Sequence, residues 1–274
     1  MTIVDELHDF LVYNESTYTG KLSLAACLIL ISILHLVTWA LHILVGILLT
    51  CGSERYSIYT KDPVAKNKAV MNYVCFITVL FLSPMYLLGA LETNTSVTSR
   101  WEKPSYIGQL GIAFHVAENI YESINYLYQG KPIEFYLHHV VVIINFIPVL
   151  LSGHLGFFAY WDGTVEFTTI FLCIIDILKL HNFEKSIIYK LNGLCLWISF
   201  IVFRLIGMSY WLYSWTVEYF ANKDIYSRNK CMAKPIAFSA TVILLLLSCS
   251  WFSKITRGLL KALGMLKKET NKQK

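Results

Sequence analysis

Apolar residues collect into seven runs, each close to the length of a membrane-crossing helix. The runs cover Leu22 to Thr50, Ala69 to Leu91, Tyr106 to Tyr128, Phe135 to Ser152, Phe157 to Leu180, Asn192 to Trp215 and Pro235 to Phe252. A helix needs roughly 20 mostly apolar residues to cross a bilayer. The pattern therefore predicts an all-α, polytopic transmembrane helix bundle of about seven spans. Pro84 in the second run reads as a tolerated kink. The third run is the least hydrophobic and holds Gln109, His115, Glu118, Asn119, Glu122 and Asn125, so at least one face must be shielded from lipid. The fifth carries Asp162, Glu166 and Asp176, and the sixth has Arg204 at its middle. The seventh is featureless and reads as lipid-facing.

Composition agrees with this pattern. The chain of 274 residues is 56% hydrophobic and 15% charged, with a mean hydropathy of +0.54, whereas average proteins are about 25% charged. A soluble domain of this size could not hide so much apolar surface. Residues 1–21 form a polar, acidic N-terminal tail, with Asp5, Glu6, Asp9 and Glu15 and no Lys or Arg before Lys21. A secretory signal has a basic start and a short apolar core, so residues 22–50 read as a retained first span. Seven cysteines are scattered without the short spacings of zinc or redox motifs, and read as small packing residues.

The net charge of +5 lies in loops and the C-terminus, which suits a membrane surface and not nucleic acid. With the N-terminus luminal or extracellular, fifteen Lys and Arg fall on the cytosolic side, from Arg55 through Lys190 and along the tail to Lys274, against seven opposite. The positive-inside rule favours that orientation and a cytosolic C-terminus. Two glycosylation sequons, at Asn14 and Asn94, both fall on the non-cytosolic side. The segment from Lys254 to Lys268 alternates basic and apolar residues, as an interfacial helix or a stop-transfer flank would.

Candidate chemistry lies inside the spans. An ionisable side chain at the centre of a membrane helix costs about 2.5–3.5 kcal/mol on insertion scales, so each one there asks for a partner. His115, Glu118 and Glu122 are spaced to share one helical face, as are Asp162, Glu166 and Thr169. At about 1.5 Å per residue, Glu118, Glu166 and Arg204 fall near mid-membrane. The adjacent His138 and His139 head the fourth run, nearer the cytosol. These groups are placed to converge on one cavity. Arg204 also fits a structural ion pair with a carboxylate. Neighbouring helical residues point about 100° apart, so one histidine of the pair can face the cavity while the other anchors to a neighbour. No metal is expected: the eight histidines include no HxxHH box of the kind that recurs in membrane di-iron lipid oxidases. His35 and His42 read as packing or interfacial residues, and His8 and His181 as loop residues.

Taken together, His138-His139, Glu166 twenty-eight positions after the first histidine, Asn192-Gly193 and Phe203-Arg204 resemble the TLC domain over roughly residues 60–260. Residues 261–274 would then be a basic cytosolic tail. The family includes ceramide synthases, translocon-associated proteins and lipid-homeostasis proteins. The resemblance implies that His138, His139 and Glu166 are catalytic, a histidine serving as base or acyl-accepting nucleophile and Glu166 as its orienting acid. It implies a lipid-binding cavity built from His115, Glu118, Glu122, Asp162, Asn192 and Arg204. The ceramide synthase signature resembles His-Asp-x-x-Asp-x-x-x-Glu, and here Val165, Thr169 and Cys173 replace its first His, second Asp and last Glu. The sequence is more similar to the smaller TLC-domain proteins linked to membrane lipid composition.

Two readings follow. In the first, the protein acts in lipid homeostasis, influencing membrane or sphingolipid acyl composition, with membrane lipids as its partners. In the second, it is an N-acyltransferase moving an acyl group from acyl-CoA, as co-substrate, to a sphingoid amine. Neither calls for a bound cofactor. A transporter or receptor has no positive feature beyond the spans. An endoplasmic-reticulum location follows from the resemblance alone, since the terminal Asn-Lys-Gln-Lys is not a dilysine retrieval signal.

Overall fold

The computed structural model describes residues 2–11, 21–52, 62–224 and 233–265, and among these all regular structure is helical. Asn14, Glu15, Arg55, Lys61, Arg228, Lys230, Cys231 and the tail from Leu266 to Lys274 lie outside the described residues. The helices are α1 (Ile3–Leu11), α2 (Leu24–Gly52), α3 (Pro63–Thr93), α4 (Val97–Glu102), α5 (Tyr106–Gln129) and α6 (Ile133–Ser152). After them come α7 (Gly156–Gly163), α8 (Phe167–Leu180), α9 (Ile187–Ser199), α10 (Gly207–Ala221) and α11 (Ala233–Ala262). A 3₁₀ turn (Thr164–Glu166) joins α7 to α8, and a π-helical segment (Phe200–Ile206) joins α9 to α10.

Local chemistry sets several boundaries. The Val64 amide donates to Asp62 Oδ1 at 2.9 Å, and Pro63 opens α3 at a position where no amide is needed. Ser105 and Ser186 cap α5 and α9 in the same way. Gly130 and Gly153 end α5 and α6 in the left-handed conformation that glycine adopts without strain. α3 runs unbroken through Pro84. His8 stands in α1, not in a loop.

Among the described residues, five helical stretches are long and apolar enough to cross a membrane: Leu24–Cys51, Pro63–Thr93, Ile133–Ser152, Ile187–Ala221 and Ala233–Ala262. α2 turns Leu36, Ile43 and Leu48 outward, more than half exposed, which suits contact with lipid and not with water. The other two expected spans differ in kind. α5 is long enough but polar, and it is enclosed by α2, α3 and α6. The run from Phe157 to Leu180 is not one helix but two short ones around the 3₁₀ turn.

Both nevertheless run the length of the bundle. At one end the Leu22 amide donates to the Leu150 carbonyl at 3.1 Å, the Leu155 amide to Trp101 at 2.9 Å, and the Ser105 amide to the Tyr160 hydroxyl at 3.1 Å. Arg100 also meets Glu218 there. At the other end Asn67 bonds Asn125 at 2.7 Å and accepts from Gln129 at 2.8 Å. Tyr73 meets His181 at 2.7 Å and Lys254 meets Glu134 at 3.1 Å. Along the way His35 meets the Ala117 carbonyl and His42 the Tyr121 hydroxyl, so both tie α2 to α5 as packing residues.

α11 departs from the expectation of a featureless lipid-facing helix. Thr241 and Ser248 are buried, and Trp251, Lys254 and Ile255 line an interior cavity.

A polar cavity inside the bundle

The cavity has a volume of about 260 Å³ and is walled by α3, α5, α6, α8, α9, the π segment and α11. His115, Glu118, Glu122, His138, His139, Glu166 and Arg204 all line it. Of the site residues named from the sequence, only Asp162 and Asn192 lie elsewhere. The Asp162 carboxylate accepts from Asn145 at 3.0 Å and from Thr241 at 3.2 Å, which ties α7 to α6 and α11. Asn192 donates to the Phe171 carbonyl at 2.8 Å and ties α9 to α8. The 3₁₀ turn explains the loss of Asp162. Each 3₁₀ residue turns the chain by about 120°, against about 100° in an α-helix. Asp162 and Glu166 therefore leave the common face that uniform helix would give them, while Thr169 still lines the cavity.

The two histidines of the pair are held differently. The Ser123 hydroxyl donates to the Asn119 carbonyl at 2.7 Å, so it must accept from His139 Nδ1, 2.9 Å away. His139 Nε2 faces Glu122 Oε2 at 3.1 Å, and the Tyr126 ring stacks on the imidazole with centroids 5.2 Å apart. Both ring nitrogens of His139 are thus occupied. His138 packs edge-on against Trp251 at 5.3 Å, and its buried Nδ1 has no hydrogen-bond partner among the described residues.

Glu166 takes other partners. His115 Nε2 stands 3.7 Å from Glu166 Oε1, and Arg204 Nη2 stands 3.9 Å from the same oxygen. Both lie beyond hydrogen-bond length, so Arg204 makes a loose ion pair with Glu166 and His115 a near approach to it. His115 Nδ1 is held by the Tyr86 hydroxyl at 2.8 Å. Arg204 Nε donates to Thr168 Oγ1 at 2.9 Å, and the guanidinium lies over the Phe200 and Trp251 rings at 5.3 and 5.9 Å. The π segment widens the helix where Arg204 leaves it, an irregularity often found at functional sites. Glu118 accepts from the Thr78 hydroxyl, and Cys75 Sγ and Cys173 Sγ touch at 3.3 Å beside it. The Lys131 ammonium, on the loop before α6, stands 5.5 Å from the centre of the Tyr126 ring. Burial first, and repulsion from Lys68 second, lower its pKa below the usual lysine range.

Tyr86, Thr78, Ser123, Thr168, Tyr126 and Trp251 complete the site and were not singled out from the sequence. Hydroxyl and aromatic side chains abound in every run, so nothing in the spacing marks these six. The cavity's polar groups can hold a headgroup or a carbonyl, while Val79, Leu172, Leu196 and Ile255 offer apolar wall.

The family model for the TLC domain matches residues 32–257. A stretch of 93 residues is 34% identical to TLC domain-containing protein 2 of Danio rerio, covering 34% of this chain and 36% of that relative. The chain thus matches about a third of that relative's length. The family match takes in every wall of the cavity, from Met71 to Ile255. This multi-pass membrane protein belongs to the TLC domain family.

Proposed function

We propose that the protein acts in lipid homeostasis, with the cavity taking the polar part of a membrane lipid and its apolar walls taking the start of an acyl chain. The bundle crosses the membrane seven times in this reading, with the Lys-rich end, including Lys66, Lys131 and Lys254, in the cytosol. The cavity lies toward that end, since Phe135, Asp176 and Lys254 are among its lining residues. Residence in the endoplasmic reticulum belongs to the same reading. The observation that carries it is the His138 imidazole, which lines a membrane-embedded cavity with a buried, unpartnered nitrogen beside the Glu166–Arg204–His115 cluster. An unpaired buried polar atom is costly, and a bound lipid carrying a hydroxyl, amide or amine would satisfy it.

The same nitrogen supports a second reading, N-acyl transfer. His139 is fully engaged, so His138 is the imidazole available as nucleophile. Its nitrogen would attack the thioester carbonyl of acyl-CoA, and CoA would leave as the thiol, taking up the imidazole proton. A sphingoid amine would then attack the acyl-imidazole to form the amide and return a proton to His138. Arg204, which lines the same cavity, would stabilise the carbonyl oxygen as it gains charge.

Lipidomics on cells lacking the protein, rescued with wild type, His138→Ala or the His138→Ala/His139→Ala double variant, tests the common core. Wild type should restore lipid composition, and both variants should insert normally but fail to restore it. Full rescue by the double variant would make the pair structural and sink both readings. Purified protein given acyl-CoA and a sphingoid amine or lyso-lipid then separates them. Transfer that is lost in His138→Ala establishes chemistry. No transfer, with rescue still lost, leaves lipid binding.

A further inference from the structure

We infer a zinc-class divalent metal site on the wall of the cavity formed by α3, α5 and α8, with Cys75, Glu118 and Glu122 as its core ligands. One ligand atom from each of these three residues lies within 4.8 Å of the other two. Two further donors adjoin the group. Cys173 Sγ is 3.3 Å from Cys75 Sγ, and His139 Nε2 is 3.1 Å from Glu122 Oε2. All five side chains line the cavity.

Three arguments lead from this cluster to a metal. The first is charge. Glu118 is 3% exposed and, among the described residues, accepts from the Thr78 hydroxyl. A second carboxylate and two thiols stand close by. Like charges repel strongly where water is excluded, and a divalent cation would balance both carboxylates at once. The second is donor chemistry. Thiolate, carboxylate and imidazole together suit zinc, whereas magnesium and calcium take oxygen donors alone. The third is geometry. Glu118 and Glu122 stand one helical turn apart on the buried face of α5, and the sulfurs come from facing helices, a common way for bundles to build metal sites. Zinc bonds of about 2.0–2.3 Å put tetrahedral donors roughly 3.3–3.8 Å apart, so rotamer shifts of about 1 Å close the site.

The sequence could not disclose this constellation, because its donors stand at positions 75, 118, 122, 139 and 173 and form no spaced motif. The inference does not rest on the lipid reading, since metal content is measured without any lipid substrate. The test uses the full-length protein purified in detergent micelles. Elemental analysis after zinc loading and desalting should find close to one equivalent per chain. Cobalt loading should give a thiolate-to-cobalt charge-transfer band. Cys75→Ser should lose that band. Glu118→Gln should weaken zinc binding by about tenfold or more, on the scale seen when metal sites lose a supporting group. Cys249→Ser, at an exposed thiol, should bind as wild type does. Monodispersity on size exclusion checks that each variant folds, and the wild-type spectrum decides the matter even if a variant does not. No zinc above background with no cobalt band in wild type, or a band unchanged in a folded Cys75→Ser protein, overturns the inference.

Discussion

The Tyr86 hydroxyl fixes His115. It meets His115 Nδ1 at 2.8 Å in a fully buried setting, which leaves Nε2 to face Glu166. Tyr86→Phe should leave that nitrogen without its partner and cost about 1–3 kcal/mol, the usual penalty for stranding a buried polar group. A lowered midpoint in thermal unfolding of the detergent-solubilised protein would show it, and an unchanged midpoint would mean that water or rotation restores the bond. This level of detail was partly legible. The spacing of His115, Glu118 and Glu122 placed all three on one face, and all three line the cavity. The angle between neighbours likewise allowed His138 and His139 to differ. Which histidine is tied down depends on Ser123 and Glu122, and nothing in the sequence distinguishes that serine from others. The family resemblance also gives a histidine of this doublet Glu166 as its orienting acid, whereas the groups nearest Glu166 are His115 and Arg204. Pairing across helices depends on their rotation about their axes, which a one-dimensional pattern does not contain.

Among the elements, the two irregular ones aim the charged groups. The 3₁₀ turn sends Glu166 toward the cavity and leaves Asp162 bracing α6 and α11, and the π segment presents Arg204 beside Thr168. Neither irregularity has a sequence signature here. The apolar run from Phe157 to Leu180 has no proline, and Gly163 is its only glycine. The reason for that glycine is Tyr86. A Cβ at Gly163 would lie 2.5 Å from three atoms of the Tyr86 ring. Gly163→Ala should therefore push Tyr86 off His115 and cost about 1–3 kcal/mol, as overpacked cores generally do. Gly258→Ala, in α11, is the matched control. Its Cβ would meet nothing within 4 Å, and alanine should gain roughly 0.5–1 kcal/mol there through helix propensity. Thermal unfolding of the two variants side by side should move in opposite directions, and a Gly163→Ala protein as stable as wild type would remove Tyr86 packing as the reason for this glycine.

For the molecule as a whole, α5 and the broken α7–α8 pair stand apart from the five apolar stretches, and labelling tests whether they too cross the membrane. Their ends lie at the two ends of the bundle. α5 starts where the Ser105 amide meets Tyr160 and finishes where Gln129 meets Asn67. α7 starts beside Trp101 and α8 finishes with His181 on Tyr73. Each therefore runs alongside α3 for much of its length. Lipid solvates helices poorly where they are polar, and this bundle solves that by enclosing α5 among apolar neighbours. Seven crossings put Asn94 and His154 on one side of the membrane and Ile133 and Phe183 on the other. Five crossings, with α5 and α7–α8 staying on one face, would swap Ile133 and His154. Single cysteines introduced at these four positions in a cysteine-free background, probed in intact and permeabilised cells with an impermeant maleimide, read the answer directly. If the Lys-rich end is cytosolic, positions 94 and 154 should label from outside or from the lumen, and positions 133 and 183 only from the cytosol. Labelling of position 133 on the same side as 94 would reduce the count to five and take α5 out of the membrane. The cavity would then have to open to water along that helix, and a lipid headgroup site would lose its enclosure.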